Sequence, residues 1–330
     1  MDSKENTFVK VGFEFTAAPK PNLKTKNKGL EIIFSPFTPG DVLINKKRDD
    51  SKISKYTWIN RNIEPDECGC EVPTPVIKNL NDVKKYYNQF MEFVNESDLT
   101  TDINKSYGGL GGCHIHLDLS YVGTKEKRAF LKNVAIFISN HPWLNWALND
   151  PNDNVNANSL ISRTNCRRVE ESVVDLFPLH KSKDIKKAKT PLEIFLSNPL
   201  RYSLHKNFAI RYNRMYDTIE FRIFDMPDSL EQHLFHYNVA MAIYNTCLTI
   251  TKADLKFKQD FIEEVDYAFL EERLVKRSLL ATLKNLDLYP TEEQMEKMFL
   301  NIKLRYAWSY DENKELIKNN KIDSEDFYML

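Results

Sequence analysis

Glu14, His114, His116, Arg211, Glu220 and Arg222 are the residues of this sequence whose types and spacing could do chemistry together. Each lies in a stretch where apolar and polar residues alternate, and on a β-strand residues i and i+2 share a face. Val9, Val11, Phe13 and Phe15 therefore oppose Lys10, Gly12, Glu14 and Thr16. Cys113, Ile115, Leu117 and Leu119 oppose His114, His116 and Asp118, while Ile219, Phe221 and Ile223 alternate with Thr218, Glu220 and Arg222. Phe208, Ile210 and Tyr212 alternate in the same way with Ala209, Arg211 and Asn213. A face meant only for water carries Lys, Thr, Ser and Glu in no special order. These faces offer carboxylates and imidazoles, which bind hard divalent cations, and guanidinium groups, which grip phosphate or carboxylate in bidentate fashion. The set describes a site for a metal-bound polyphosphate and an acidic substrate.

Taken singly, each element carries little. A carboxylate on a strand is most often a solvated residue, and Glu220 with Arg222 also reads as an ion pair worth under ~1 kcal/mol. The His-x-His pair is more specific, because two imidazoles on one strand face directly after a glycine loop have little structural use. That loop holds Gly108, Gly109, Gly111 and Gly112, four of the nine glycines in the chain, and so marks a backbone with special demands. It matches neither the phosphate-binding pattern ending in Gly-Lys-Ser/Thr nor the dinucleotide Gly-x-Gly-x-x-Gly fingerprint.

The elements that must position these residues follow from turn residues and periodicity. Short strands are predicted at 8–15, 31–34, 42–44, 56–59 and 70–77, and helical spacing first appears at Val83, Tyr86, Tyr87, Phe90, Met91 and Val94. Next come a strand over 113–119, a helix over about 125–139, and strands at 208–213 and 218–224. From Ser229 the chain reads as helical to about Tyr306. Strands first and helices later, without βαβ alternation, predicts an α+β fold with a mostly antiparallel sheet. Residues 1–250 are expected to carry the catalytic domain and 251–330 a helical C-terminal extension packed on it.

Composition narrows the function class. In 330 residues, 46 Lys and Arg balance 47 Asp and Glu, so no net charge draws the protein to nucleic acid or to a membrane surface. The longest strictly aliphatic or aromatic run, Val134 to Ile138, is far short of the ~20 residues that span a bilayer. With no secretory signal at its start, the chain is expected in the cytoplasm. Five cysteines (Cys68, Cys70, Cys113, Cys166, Cys247) argue for reduced thiols, and Cys68 with Cys70 lacks the Cys-x-x-Cys spacing of structural zinc. The lysines of 180–189 read as a solvated loop or helix face in preference to a phosphate-binding loop.

The order of the motifs carries a family resemblance. Gly12-Phe13-Glu14-Phe15-Thr16, Cys70-Glu71-Val72-Pro73-Thr74-Pro75, the glycine loop running into His114-Ile115-His116, and Arg211-Tyr212-Asn213 followed by Glu220-Phe221-Arg222 resemble the amidoligase family. These are carboxylate-amine ligases related to glutamine synthetase and gamma-glutamylcysteine ligase, and the resemblance spans roughly residues 8 to 245. It implies a glutamine-synthetase-like catalytic sheet and an ATP-dependent ligase that forms an amide through an acyl phosphate. The cofactors would be ATP and Mg2+, or Mn2+. The partners would be a small-molecule or peptide carboxylate and an amine, with an oligomer possible.

By the same resemblance Glu14, His114 and Glu220 hold the metal on the nucleotide phosphates. Glu71 holds a second metal near the substrate carboxylate, helped by Glu64 or Glu67. His116 contacts the phosphates together with the loop glycines Gly109, Gly111 and Gly112, and Arg211 and Arg222 clamp the transferring phosphoryl group or the substrate. The sequence departs from the family at Thr16, where a second Glu is usual, so the second metal is expected to be weakly held or lost. Two other readings stand beside this one. A metal-dependent hydrolase also uses His-x-His on a strand but expects βα alternation, and a binding or structural protein could keep the sheet without catalysis.

Overall fold

A computed structural model describes residues 8–19, 26–27, 30–34, 42–46, 54–66, 69–97, 99–101, 112–148, 195–202, 209–258 and 272–303. The chain is α+β. Its main sheet contains β1 (Val11–Pro19), β5 (Glu64–Asp66), β6 (Gly69–Pro73), β7 (Leu99–Thr100), β8 (Cys113–Asp118), β9 (Ile210–Asn213) and β10 (Thr218–Phe221). The order is β5-β6-β1-β8-β10-β9, with β7 paired to the far end of β1, and every pairing is antiparallel. A separate sheet of three strands joins β2 (Lys26–Asn27), β3 (Leu30–Phe34) and β4 (Val42–Lys46), where two strands were expected. The mostly antiparallel sheet expected from the sequence is therefore present.

Alternation decides which face of the main sheet is covered. Phe13, Phe15, Cys113, Ile115, Leu117, Ile219 and Phe221 are all buried against helices α2 (Leu80–Glu96) and α6 (Leu230–Lys252). Phe15 stacks on Phe90 of α2 at 4.8 Å between centroids, and Phe13 meets His233 of α6 edge-on at 4.5 Å. Each such side chain, fully removed from water, stabilises the fold by roughly 1.5–3 kcal/mol. Helix α2 buries Val83, Tyr87, Phe90 and Val94, the three-and-four spacing visible in the sequence, and Asn79 caps its start by accepting from the Asp82 amide at 2.9 Å. Ser229 caps α6 in the same way. Helix α3 (Thr124–Asn140) packs on α6 through Phe130 and Tyr244, whose rings are 5.0 Å apart.

Several expected boundaries move. Of residues 56–59, read as a strand, Tyr56 is the N-cap and the rest lie in helix α1 (Thr57–Asn62), whose Ile59 is buried together with Ile63 four residues on. Reciprocal bonds between Ser54 and Asn60 and a bond from Trp58 to Gln89 hold that turn. The first strand starts at Val11 and runs on to Pro19, and the strand expected over 70–77 ends at Pro73, with Ile77 returning only as an isolated bridge to Val11. The last expected strand leaves its ladder after Phe221. Arg222 N–H donates to Ala209 O, and Phe224 O accepts from Cys113 N–H at 3.2 Å.

The long C-terminal helical stretch is interrupted among the described residues. Helix α6 ends at Lys252, helix α7 covers Glu272–Asn285, and residues 292–303 are helical again. Asp254 and Asp287, with φ of 56° and 57°, adopt the left-handed conformation in the turns after α6 and α7. Shorter helices among the described residues cover Pro142–Leu148 and Pro199–Tyr202. No described helix is long and apolar enough to cross a membrane. Cys70, Cys113 and Cys247 are buried, and burial pushes the Cys113 thiol well above its ordinary range. Cys68, Cys166 and the lysines of 180–189 lie outside the described residues.

Candidate metal centre

The polar face of the main sheet is built by register. Antiparallel pairing sets Glu14 opposite His114 and Gly12 opposite His116 across β1 and β8. It sets Glu220 opposite His116 across β10 and β8, Glu220 opposite Arg211 across β10 and β9, and Thr16 opposite Glu71 across β1 and β6. Directly opposed side chains on one face come within about 5 Å. Residues more than two hundred positions apart in sequence thereby meet.

His114 is the hub. Its Nδ1 donates to Glu14 Oε2 at 2.9 Å and lies 3.4 Å from Glu71 Oε1 and 3.7 Å from Glu220 Oε1. Glu14 reaches the second imidazole through its other oxygen, with His116 Nε2 2.9 Å from Glu14 Oε1, and His116 Nδ1 lies 3.2 Å from Thr218 Oγ1. Glu220 is 1% exposed. Arg222 Nη1 donates to its Oε1, and Arg211 Nη1 stands 3.6 Å from its Oε2. Arg222 Nη1 is also 3.4 Å from His114 Nδ1.

The electrostatics follow from this packing. Burial pushes the Glu14 carboxyl up, but hydrogen bonds and charge from His114 and His116 outweigh it and hold the group well below the usual carboxylate range. Burial and the Arg222 charge push the His114 imidazole down, yet its bonds to Glu14 and Glu71 raise it to about 9. An imidazole that ligates a cation must be neutral, so a cation binding here displaces a proton from His114.

One ligand atom each from Glu14, His114 and Glu220 lie within 4.8 Å of one another, in the combination of two carboxylates and one imidazole that suits a hard divalent cation. These are the three residues that the resemblance names as ligands of one metal. Glu71, expected at a second metal, converges on the same His114 nitrogen. Glu64 faces Glu71 from β5 and is exposed; Glu67, Gly109 and Gly111 lie outside the described residues.

Thr16, which stands where the family has a second Glu, holds the backbone. It is buried, and its hydroxyl donates to Gly112 O at 2.8 Å, which makes it a tie for the end of the glycine loop. A Cβ at Gly112 would stand 3.0 Å from Phe224 O, tighter than an ordinary contact, so this close backbone approach favours glycine.

A cavity of about 840 Å³ reaches the triad through Glu14, and Glu71, His116, Lys10, Asp118 and Tyr216 also line it; His114, Glu220, Arg211 and Arg222 are not among its lining residues. From His114 to Asp118 the strand advances roughly 13 Å at ~3.3 Å per residue. Gly12 leaves room in the middle, its missing side chain opening the surface over His116. Asp118, placed on the polar face by the sequence but given no role, takes the Ser120 amide at 2.8 Å and pairs with Lys10 at 3.4 Å. Lys78 and Tyr216 also line this cavity; no periodicity marks them, because they come from loops. Compared with known proteins, the chain matches no family model and no curated protein sequence.

Proposed function

We propose that this protein is an ATP- and divalent-metal-dependent carboxylate-amine ligase with a glutamine-synthetase-like catalytic sheet. The observation that carries the reading is the convergence of Glu14, His114 and Glu220 within 4.8 Å, flanked by Arg211 and Arg222, with Glu14 and His116 also lining a cavity large enough for a nucleotide. A carboxylate cannot be attacked by an amine until one of its oxygens becomes a leaving group, and phosphorylation by ATP supplies that as an acyl phosphate. Every reactant in that transfer is anionic, so the site must gather positive charge around the phosphoryl group. Mg2+ or Mn2+ held by Glu14, His114 and Glu220 would supply charge on the phosphates. His116 contacts the same phosphates, Arg211 and Arg222 clamp the transferring group, and Glu71 serves the substrate side. The nucleoside lies along β8 toward Asp118 and Tyr216, where a carboxylate can accept from ribose hydroxyls and an exposed ring can stack on a base.

The test is ADP release from ATP with pooled amino acids, peptides and polyamines, with hydroxylamine present to trap acyl phosphate as a hydroxamate. Wild-type protein is expected to form hydroxamate with one acid class, and Glu220→Gln to form none and to lose Mn2+ binding in calorimetric titration. ATP turnover without hydroxamate from any acid, or undiminished Mn2+ binding by Glu220→Gln, would overturn the reading.

A further inference from the structure

Glu220 Oε1 has two claimants. It is the Glu220 oxygen 3.7 Å from His114 Nδ1, so it faces the triad, and it is also the oxygen to which Arg222 Nη1 donates. The same guanidinium nitrogen sits 3.4 Å from His114 Nδ1, and thus beside the position that a cation shared by Glu14, His114 and Glu220 would take. A cation within ~2.1 Å of its oxygen ligands and a guanidinium on one of those oxygens would be like charges in near contact. Arg211 differs, because it stands on the opposite oxygen, Oε2, at 3.6 Å and makes no such conflict.

We propose that Arg222 and a divalent cation compete for Glu220 Oε1, so that binding of the cation frees the Arg222 guanidinium to meet the phosphates that arrive with it. The idea rests on the metal-site reading above and deepens it, because it couples cation entry to the delivery of a phosphate clamp. Arg222 leads from β10 into the segment 222–225, which has left the ladder. Its backbone is held by the Ala209 carbonyl while its side chain is only 20% exposed. The main chain therefore stays in place while the guanidinium changes partner. No bond is made or broken; a hydrogen bond to a carboxylate is exchanged for one to a phosphate oxygen, and Glu220 exchanges a guanidinium for the cation.

Competition carries a sign that a structural role cannot imitate. Arg222→Gln keeps an N–H donor for Glu220 but removes the positive charge, so Mn2+ binding in the absence of nucleotide is expected to become about tenfold tighter, within the usual range of coupling between sites. Arg211→Gln should change it by about twofold or less. In wild-type protein a non-hydrolysable ATP analogue should tighten Mn2+ binding beyond what the analogue's own chelation supplies, and Arg222→Gln should lose that extra coupling by reciprocity.

Mn2+ affinity read by electron paramagnetic resonance, with thermal melts to establish folding, decides the matter. Should Arg222→Gln fail to fold, Arg222→Lys, whose shorter hydrogen-bonding reach weakens the hold on Oε1, is expected to tighten Mn2+ binding about threefold. Weaker or equal Mn2+ binding by the folded variant refutes the competition while leaving the metal site standing. Absence of Mn2+ binding in wild type and variants alike refutes both, and binding that appears only on removing the Arg222 charge supports the competition in its strongest form.

Discussion

Two histidines, one buried and one half-buried, stand on opposite faces of the same strand, and their surroundings set them against each other. His233 of α6 lies under β1 in a box of Phe13, Phe15 and Tyr87, stacked on Tyr87 at 4.7 Å, and neither ring nitrogen has a hydrogen-bond partner among the described residues. Burial alone drives its imidazole down to about 3. His114 lies over β1 between Glu14, Glu71 and Glu220, and is raised to about 9. Residues 13 to 15 of β1 serve both: the two phenylalanines close the dry box and Glu14 between them faces the charged cluster. A strand can thus build a core and a charged site within three residues, because alternation keeps the two dielectrics apart. Low dielectric punishes the unpaired imidazole and rewards the paired one.

The hardest way to break this comparison is to remove the wall between the faces. Phe15→Ala deletes a fully buried ring that stacks on Phe90, and is expected to cost about 3–5 kcal/mol in urea unfolding while Mn2+ affinity, measured without urea, stays within a few-fold of wild type. A loss of Mn2+ binding larger than that would show that the apolar face sets the geometry of the charged one.

A smaller effect, up to about 1.4 kcal/mol per pH unit for each group, comes from titrating the two imidazoles. The folded value of His233 lies below its unfolded value of 6.5, so its contribution to stability is present above pH 6.5 and is lost as pH falls toward about 3. His114 is the reverse. Its folded value lies above 6.5, so its contribution in chelator-treated protein is present below pH 6.5 and is lost as pH rises through about 9. Relative to wild type, His233→Phe should gain stability as the medium becomes acidic, and His114→Gln should gain it between pH 6.5 and 9. Unfolding midpoints that run parallel to wild type across those windows would remove the contrast.

The smallest effect sharpens the boundary of the site. Thr16→Val removes the hydroxyl that holds Gly112 O and leaves that carbonyl without its donor, which is expected to cost about 1 kcal/mol and little Mn2+ affinity. Thr16→Glu should not improve the metal requirement. A lower Mn2+ requirement in Thr16→Glu would return this position to the ligand shell.

Much of this was legible in the residues. Apolar alternation at 11–15, 113–119 and 219–223 located three central strands and assigned every side chain to a face. The spacing of Val83, Tyr87, Phe90 and Val94 located α2 and its buried side. Helix α1 was missed because its six residues carry one buried position, Ile59, and the confirming partner Ile63 lies just beyond its end. Lys78 and Tyr216 carried no signal, since a cavity wall assembled from loops has no period.

What the sequence determined by itself is therefore local: which residues alternate, which face each occupies, and which of them can ligate or clamp. Whether Glu14, His114 and Glu220 meet is not local. It depends on a one-residue choice of register between β1, β8 and β10, since a slip by one would turn every side chain of a strand to the other face. Packing of Phe13 and Phe15 against α2 and α6 excludes the one-residue slips of β1, because those would turn both rings to the other face. Tertiary structure alone also decided the partners. Thr16 went to Gly112, Glu71 came to His114, and Arg222 settled on the oxygen of Glu220 that faces the triad. Hydrogen-bond geometry acts over about 3 Å, and sequence spacing along separate strands does not specify distances that fine.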